Sequence, residues 1–534
     1  MSLIEEVNSR RTFAIISHPD AGKTTLTEKL LLYGGAIHLA GSVKARKTTK
    51  HAVSDWMEIE KQRGISVTSS VLQFDYADCH INILDTPGHQ DFSEDTYRTL
   101  MAADSAVMLI DVAKGVETQT KKLFQVCKER GIPIFTFVNK IDHFGRNPFD
   151  LMEELENILG IRAYPMNWPI GINGEYKGIY DRETATVELF EKDTSHGQKK
   201  LASTKGAADD PVFTELLGKD IHQALIDDIE LLDIAGDSFD MERVKNGQLT
   251  PMFFGSAMTN FGVKPFLEKF LTLAPKPQPR TTLEGKVEPT SPDFSAFVFK
   301  IQANMNPQHH DRIVFMRICS GKFEKGMSVS HRQSGKVIRL SQPQQFLATE
   351  RTIIDDAYPG DIIGVFDPEV MGVGDTLYTG DQITFADFPV FPPELFARIR
   401  AKDSMKRKQF VKGMSQLAQE GAVQIFEQLH SMESYIVGAV GSLQFDVLQY
   451  RLQHEYGVEL ELNSLPYNVA RWLGGTAIDP TQLKGIDSAM IVKDSRDRFV
   501  LLISNEWQMN WVIERNPAFT FLKTPLQNQF WELK

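Results

Sequence analysis

Ser17-His18-Pro19-Asp20-Ala21-Gly22-Lys23-Thr24 joins a short apolar run, Phe13–Ser17, to a segment with helical periodicity. A strand that turns through such a loop into a helix is typical of a phosphate-binding loop, in which backbone N–H groups surround the phosphate oxygens. The N–H groups of Asp20 to Thr25 are placed for a β-phosphate. Lys23 is predicted to reach the β- and γ-phosphates, and the Thr24 hydroxyl to bind Mg²⁺. Ser17 departs from the usual first glycine, and the alternative is a chance Gly-Lys-Thr at a helix start.

The surrounding sequence predicts a parallel sheet covered by helices. Four strand candidates are short and rich in Ile, Val or Phe, as expected of strands that are buried on both faces. They are Phe13–Ser17, His80–Leu84, Ser105–Asp111 and Ile132–Asn139. Their carboxyl ends run into loops that bear Gly or Asp, where open α/β sheets bind their ligands.

Asp85-Thr86-Pro87-Gly88-His89 ends the second of these strands. The Asp85 carboxylate is predicted to hold Mg²⁺ through water, and the Gly88 N–H to bond a γ-phosphate. Gly88 also permits the backbone to flip when that phosphate departs. Read alone, the motif is equally an ordinary turn after a strand.

His89 follows the predicted γ-phosphate contact directly, at a position where other nucleotide hydrolases of this type carry glutamine. It is the candidate catalytic residue, which would orient the attacking water. The alternative is a histidine that only packs beneath the loop.

Asn139-Lys140-Ile141-Asp142, at the end of another strand, is predicted to select the base. A carboxylate accepts both N1–H and N2–H₂ of guanine, a pattern that adenine does not offer. Gly255-Ser256-Ala257 follows the strand candidate Met252–Phe254 and would present a backbone N–H to guanine O6. Each motif is weak alone, but their order behind the phosphate loop predicts GTP and GDP as ligands.

Gly64-Ile65-Ser66, after the charged run Glu58–Arg63, lies between the phosphate loop and Asp85. A Ser66 hydroxyl would complete the Mg²⁺ shell only while the γ-phosphate is present, which is typical of a first switch segment. The alternative is an ordinary surface loop.

Composition bounds the remaining possibilities. The chain has 534 residues, with 58 basic and 70 acidic side chains and a formal charge of −12. This balance argues against a protein coated in basic residues for nucleic acid, whereas binding through a local patch depends on where the basic residues lie. Three scattered cysteines, Cys79, Cys127 and Cys319, fit a reducing compartment, and neither a signal peptide nor a membrane span is apparent. We expect a cytoplasmic monomer with no membrane partner.

Proline clusters at Pro275–Pro279 and Pro389–Pro393 indicate linkers. The fold prediction is an α/β P-loop GTPase domain with an inserted subdomain, followed by a β-barrel domain and an α+β C-terminal domain. The predicted ranges are 1–284 with an insertion at 143–250, then 285–387, then 388–534. Within the insertion, Gly171–Asp181 is interpreted as a hairpin and Asp210–Leu232 as an amphipathic helix.

Two basic clusters stand out in this acidic chain. One comprises Arg398, Arg400, Lys402, Lys406, Arg407, Lys408 and Lys412, a local charge of +6 once Asp403 is included. The other, Lys44, Arg46, Lys47 and Lys50, precedes the predicted switch. Contact with RNA phosphates and a solvated helix face are equally good interpretations of the larger cluster.

These motifs resemble those of the translational GTPases, the family of elongation factors G and Tu. The motifs are Ser17–Thr25, Arg63–Val67, Asp85–His89 and Asn139–Asp142, and three longer stretches, Leu30–Ile37, Ser54–Gly64 and Gly88–Leu100, resemble the branch that acts in translation termination. Ser66 departs from the threonine of most members. The barrel and the last domain extend the resemblance over essentially the whole chain.

The resemblance implies a ribosome-dependent GTPase that drives class-one peptide chain release factors off the ribosome after peptide release. Its implied partners are the ribosome, both RNA and proteins, and those release factors, and ribosomal RNA would position His89. Three alternatives remain open: a translocase-like or ribosome-protection GTPase, a GTP-regulated subunit of a metabolic enzyme, and a nucleotide-gated scaffold that never hydrolyses GTP.

Overall fold

The structure is a computed structural model that describes most of the chain. The described residues are 2–36, 68–171, 176–190, 204–303, 312–341, 343–347, 350–386, 388, 391–428, 435–474 and 479–524. The predicted first switch with Ser66, and the smaller basic cluster around Lys44, lie outside these ranges.

A seven-stranded sheet forms the centre of the first domain. The strands of this domain are β1 Arg10–Ser17, β2 Ser70–Tyr76, β3 Cys79–Asp85, β4 Ser105–Asp111, β5 Ile134–Asn139, β6 Arg162–Pro165, β7 Asn167–Ile170, β8 Gly178–Asp181, β9 Thr186–Leu189, β10 Thr204–Ala207 and β11 Leu249–Phe254. The central sheet has the order β2-β3-β1-β4-β5-β11-β6, and every neighbouring pair is parallel except β2 with β3. The predicted parallel sheet is therefore confirmed.

Helices cover both faces of this sheet. The described helices of this domain, including those of the inserted region, are Leu3–Ser9, Lys23–Tyr33, Ser93–Ala102, Thr118–Glu129, Pro148–Leu159, Pro211–Leu217, Lys219–Ala235, Met241–Lys245 and Val263–Leu273, with a 3₁₀ turn at Gln90–Phe92. Alternate residues of β5 enter two separate cores: Ile134 and Val138 lie in one, Phe135 and Phe137 in the other. This division is what period-two side chains give when a strand is buried on both faces.

The inserted region differs from its prediction in two details. Its sheet is antiparallel, in the order β10-β9-β8-β7. The hairpin pairs Asn167–Ile170 with Gly178–Asp181, so its first strand begins before the predicted Gly171. The predicted helix over Asp210–Leu232 is wrong as a single element, because Gly218 at φ 87° ends Pro211–Leu217 before Lys219–Ala235 begins.

The middle domain consists of antiparallel strands in a barrel-like arrangement. They are β12 Arg280–Thr282, β13 Gly285–Val287, β14 Ser295–Ala303, β15 Arg312–Ser320, β16 Phe323–Glu324, β17 Ser328–His331, β18 Lys336–Arg339, β19 Gln344–Leu347, β20 Glu350–Ile353, β21 Asp356–Ala357, β22 Ile362–Phe366 and β23 Thr376–Tyr378. The main sheet has the order β18-β17-β23-β14-β15-β22-β19-β20. Its core includes Val298, Val314 and Ile363.

The last domain is α+β. Its strands are β24 Leu395–Ala401, β25 Gln424–Gln428, β26 Tyr435–Ala439, β27 Leu460–Leu465, β28 Val469–Gly474, β29 Met490–Asp494, β30 Phe499–Ile503 and β31 Thr520–Leu522, in the order β27-β24-β26-β25-β29-β30-β28-β31. Its helices are Arg407–Glu420, Ser442–Tyr456 and Glu506–Arg515, with 3₁₀ turns at Ser404–Lys406 and Pro480–Gln482. The domain boundaries after residues 284 and 387 stay predictions.

Buried polar contacts fasten the barrel to the first domain. The Asp104 carboxylate accepts from Arg317 at 2.5 Å and from Arg280 at 2.9 Å. The Thr12 hydroxyl donates to the Gly360 carbonyl at 2.7 Å. Thr12 lies near the start of β1 and Asp104 immediately precedes β4, so the barrel sits at the amino ends of these strands, opposite the predicted phosphate loop. Among the described helices, none combines the length and the apolarity needed to span a lipid bilayer.

Candidate functional site

The predicted phosphate loop adopts a strained, open conformation after β1. Asp20 at φ 65° and Gly22 at φ 97° both have left-handed backbones. Gly22 is the N-cap of helix Lys23–Tyr33, and within the described ranges no side chain caps that helix. Its first N–H groups are therefore left for an external acceptor, which is the arrangement that binds phosphate.

The end of β3 meets this loop. The Lys23 ammonium forms a buried ion pair with the Asp85 carboxylate. The Thr86 hydroxyl donates to the Ile15 carbonyl at 2.7 Å. A Cβ on Gly88 would lie 3.6 Å from the Pro19 Cα, so the Gly88 backbone rests against the phosphate loop. The positive charge of Lys23, which suits phosphate oxygens, and the negative charge of Asp85, which suits a divalent cation, therefore lie side by side.

Asn139 connects the phosphate loop to the predicted base loops. Its Nδ2 donates to the Ala21 carbonyl at 2.9 Å, and its Oδ1 accepts from the Ala257 N–H at 2.9 Å. Its neighbour Lys140, left-handed at φ 67°, donates through Nζ to the Asp20 carbonyl at 2.5 Å. Three segments that are distant in sequence are therefore held together by two adjacent side chains.

Asp142 presents an unused acceptor in this framework. Its Oδ1 is buried and, among the described residues, has no hydrogen-bond partner. Its Oδ2 lies 3.6 Å from His143 Nε2. A buried carboxylate oxygen without a donor is costly, so the site fits a ligand that brings paired N–H donors, as guanine does.

Ser256 and Gly255 have structural partners. The Gly255 N–H donates to the Val138 carbonyl at 2.9 Å, and the Ser256 N–H to the Phe261 carbonyl at 2.9 Å. The Ala257 N–H is used by Asn139. All three backbone N–H groups of Gly255, Ser256 and Ala257 are therefore engaged within the protein, so the N–H predicted for guanine O6 would have to exchange its present partner.

His89 caps the 3₁₀ turn Gln90–Phe92. Its Nδ1 accepts the Asp91 N–H at 3.2 Å, and the Asp91 Oδ1 lies 3.4 Å from the same nitrogen. In the neutral ring this bond leaves the hydrogen on Nε2. The imidazole is about one-third exposed, with a relative side-chain accessibility of 35%, so Nε2 is a donor available to a ligand or to water.

Sequence reasoning missed three residues that support the site. Asp111 accepts from Lys140 Nζ at 2.8 Å, Glu117 lies 3.3 Å from His18 Nε2, and Asp91 holds His89. Burial alone would raise the pKa of Asp111, but the hydrogen bonds from Lys140 and from the Ala113 N–H lower it. The signal for Asp111 was present, because it ends β4 directly beside Asn139 of the parallel β5.

The larger basic cluster is not one free patch. Arg400 pairs with Glu461 at 2.7 Å and Lys402 with Glu459 at 3.3 Å. Lys406 donates to the Gly457 carbonyl, and Arg398 to Gln428 at 3.2 Å. Lys408 and Lys412 still expose their charges on helix Arg407–Glu420. The local excess of positive charge is therefore smaller than the sequence indicated.

Family comparisons cover all three domains. The profile of the elongation factor Tu GTP binding domain matches residues 8–276, and that of elongation factor G domain 2 matches residues 293–380. The profile described as class II release factor RF3, C-terminal domain, matches residues 385–513. The order of these matches is that of the three structural domains.

Curated relatives share nearly the full length. Peptide chain release factor 3 of Symbiobacterium thermophilum is 60% identical over 524 residues, 98% of this chain and 99% of the relative. Peptide chain release factor 3 of Acaryochloris marina is 55% identical, over 96% of this chain and 95% of the relative. That of Trichormus variabilis is 56% identical, over 95% and 94%.

A solved structure has the same fold. The crystal structure of a Thermus thermophilus protein superposes with a TM-score of 0.69 at 23% identity, covering 88% of this chain and 70% of the other. The likeness in fold and the profile for the last domain agree with the full-length relatives. The chain belongs to the peptide chain release factor 3 family and is a GTP-hydrolysing enzyme of translation termination.

Proposed function

We propose that this GTPase acts on the ribosome after peptide release and uses GTP to drive off the class-one release factor. The observation that carries the proposal is the match of residues 385–513 to the class II release factor RF3 C-terminal domain, behind a GTP-binding domain in which Asn139 bonds the Ala21 carbonyl and accepts the Ala257 N–H. Because one side chain fixes both the phosphate loop and a base loop, nucleotide state and loop position are linked. The proposed setting is the cytoplasm, and the proposed acting species is a monomer.

The nucleotide contacts divide between phosphates and base. The proposed phosphate contacts are Ser17, His18, Pro19, Asp20, Ala21, Gly22, Lys23, Thr24, Thr25, Asp85, Thr86, Pro87 and Gly88, and the proposed base contacts are Asn139, Lys140, Ile141, Asp142, Gly255, Ser256 and Ala257. The uncapped start of helix Lys23–Tyr33 supports the first group. The Asp142 Oδ1, which has no partner among the described residues, supports the second.

Thr24, Asp85 and Ser66 are the proposed Mg²⁺ ligands. A hydroxyl at the helix start and a carboxylate at the end of β3 are the hard oxygen donors that this ion prefers. When bound, Mg²⁺ would neutralise negative charge on the β- and γ-phosphate oxygens. The Lys23–Asp85 ion pair indicates that both side chains already point to one place.

His89 is the proposed catalytic residue. With Nδ1 engaged by the Asp91 N–H, Nε2, to which no described residue is bonded, is the nitrogen that would orient an attacking water. No covalent step is asked of the protein, because phosphoryl transfer depends on positioning and on charge stabilisation. Ribosomal RNA is proposed to complete this arrangement, and Lys408 and Lys412 are proposed to contact RNA phosphates.

Measuring GTP hydrolysis with and without post-termination ribosomes, for the wild type and His89→Ala, tests the proposal. Ribosomes should accelerate the wild type, and the substitution should lower the stimulated kcat by about 10²–10⁴-fold. Departure of a labelled class-one release factor is followed in the same reactions, with translocation assayed beside it. Stimulated turnover that survives in His89→Ala, or a response of translocation alone, would contradict the proposal.

A further inference from the structure

The segment that follows His89 is docked on the last domain. The Asp91 Oδ2 accepts the Leu443 N–H at 2.9 Å, across 352 positions of sequence. Further along, Arg98 donates to the Glu420 carbonyl at 3.4 Å, and the Tyr97 ring packs edge-on to Phe391 at 5.4 Å. The loop that carries the proposed catalytic histidine is thus part of a domain interface.

Asp91 takes the place of a missing helix cap. Helix Ser442–Tyr456 begins after Gly441, which has no side-chain oxygen for the free N–H groups. The Asp91 carboxylate bonds the second of these groups, that of Leu443, and its negative charge is favoured at the positive end of the helix dipole. The cap of this helix therefore comes from another domain.

Gly441 makes this approach possible. A Cβ at Gly441 would overlap the Asp91 carboxylate, with all three of its nearest atoms belonging to that group. Its backbone, at φ −142°, is open to any residue, so the steric demand concerns Asp91 and not backbone conformation. Both Asp91 and Gly441 are buried.

The two ends of Asp91 do different things. Its N–H donates to His89 Nδ1, near which its Oδ1 also lies at 3.4 Å, and its Oδ2 holds the last domain. We propose that Asp91 is a positioning residue that couples the orientation of His89 to the docking of the last domain. This inference rests on the proposed role of His89. By linkage, whatever displaces the domain changes the setting of His89, and whatever resets His89 changes the docking in turn.

The two substitutions Asp91→Ala and Gly441→Ala test the coupling as a pair. Gly441→Ala leaves every nucleotide contact intact, yet it should lower the ribosome-stimulated kcat about fivefold or more, because it pushes on the carboxylate. Asp91→Ala should lower it about tenfold, and Asp91→Asn should recover most of the loss, since an amide oxygen still accepts from Leu443. In the Asp91→Ala background, Gly441→Ala should not lower the stimulated kcat further, because the carboxylate that its Cβ would meet is absent.

The control is Asn505→Ala, which deletes the cap of helix Glu506–Arg515 in the same domain. The stimulated kcat should stay within about twofold of the wild-type value, although the substitution removes a helix cap of similar energy to the one that Asp91 provides. Affinity for a fluorescent GDP analogue and the ribosome concentration at half-maximal rate are measured for each variant, and both should change less than kcat. A wild-type rate in Gly441→Ala, or losses that multiply in the double variant, would overturn the inference. Absence of ribosome stimulation in the wild type would instead overturn the proposed function.

Discussion

At the scale of single residues, Asp142 is the proposed source of the discrimination between guanine and other bases. Its buried Oδ1 has no donor among the described residues, and the surrounding loops are already fixed by their own bonds. Two hydrogen bonds to a charged acceptor contribute about 1.5–3 kcal/mol each. Selectivity of this kind rests on a charge and two lone pairs, not on the shape of a pocket.

The Asp142→Asn substitution should therefore weaken GDP binding on the order of 100-fold. The amide offers N–H donors, which suit the carbonyl that xanthine carries where guanine has its amino group. Binding of fluorescent GDP and XDP analogues measures the change, with Asp150→Asn on helix Pro148–Leu159 as a matched control. An unaltered preference for GDP over XDP would contradict the base assignment.

At the scale of elements, the phosphate loop depends on Gly22 for two separate reasons. Its φ of 97° is one that L-residues adopt at a cost, and a Cβ there would run into the Asn139 amide. The same amide holds Ala21 and Ala257. A side chain at position 22 would thus strain the loop and displace the group that joins it to the base loops.

The Gly35→Ala substitution separates the cost of a left-handed backbone from the cost of displacing the Asn139 amide. Gly35 is also left-handed, at φ 73°, but a Cβ there would meet no atom of the described residues within 4 Å. We expect Gly35→Ala to cost about 1–2 kcal/mol of unfolding free energy with unchanged nucleotide affinity. Gly22→Ala should cost more and also weaken GDP binding about tenfold or more. Denaturant unfolding and nucleotide titration of both variants check this, and equal behaviour would argue against the Asn139 contact.

Elements were the part of the fold best predicted from sequence. Glycine, proline and charged residues mark the ends of β1, β3, β4 and β5, and the helix of the phosphate-loop unit begins at Lys23 as its motif requires. The break at Gly218 was missed because the apolar spacing continues on both sides of it. Contacts such as Asp91 with Leu443 leave no local signal, since their partners are brought together only by the packing of whole domains.

At the scale of the whole molecule, the buried carboxylate of Asp104 joins the barrel to the first domain. Both of its oxygens are engaged, by Arg317 at 2.5 Å and Arg280 at 2.9 Å. Asp104→Ala should lower the free energy of unfolding by about 3–5 kcal/mol, because two guanidinium groups lose their counter-charge inside the protein. Asp355→Ala, which removes the exposed partner of Lys325, should cost below about 1 kcal/mol. Denaturant unfolding of both variants measures these losses. Similar losses of unfolding free energy would contradict the larger contribution assigned to Asp104.

His80 makes the same interface sensitive to pH. Burial alone would lower its pKa, but the hydrogen bond to Asp75 and the charge of Asp361 outweigh burial and raise it, with Arg10 opposing them. Nε2 also lies 3.0 Å from the Gln345 amide of the barrel. Because the folded protein binds this proton more tightly than the unfolded chain, the stabilisation is complete below pH 6.5 and is lost as pH rises through the raised pKa.

Thermal unfolding of the wild type and of His80→Gln, measured from about pH 5.5 to about 8.5, checks this direction. The wild type should lose stability relative to His80→Gln as the pH rises. His454→Gln, at an exposed histidine, should keep the wild-type slope. An identical slope in His80→Gln would contradict the assignment.

Strand β1 has a mechanical consequence. It carries the barrel contacts Arg10 and Thr12 near one end and Ser17 at the other, and its eight residues span roughly 25 Å. The strand is hydrogen-bonded to β3 and β4 on its two sides. A displacement of the barrel contacts at Arg10 and Thr12 would therefore be transmitted along a strand held on both sides to Ser17, where the phosphate loop begins.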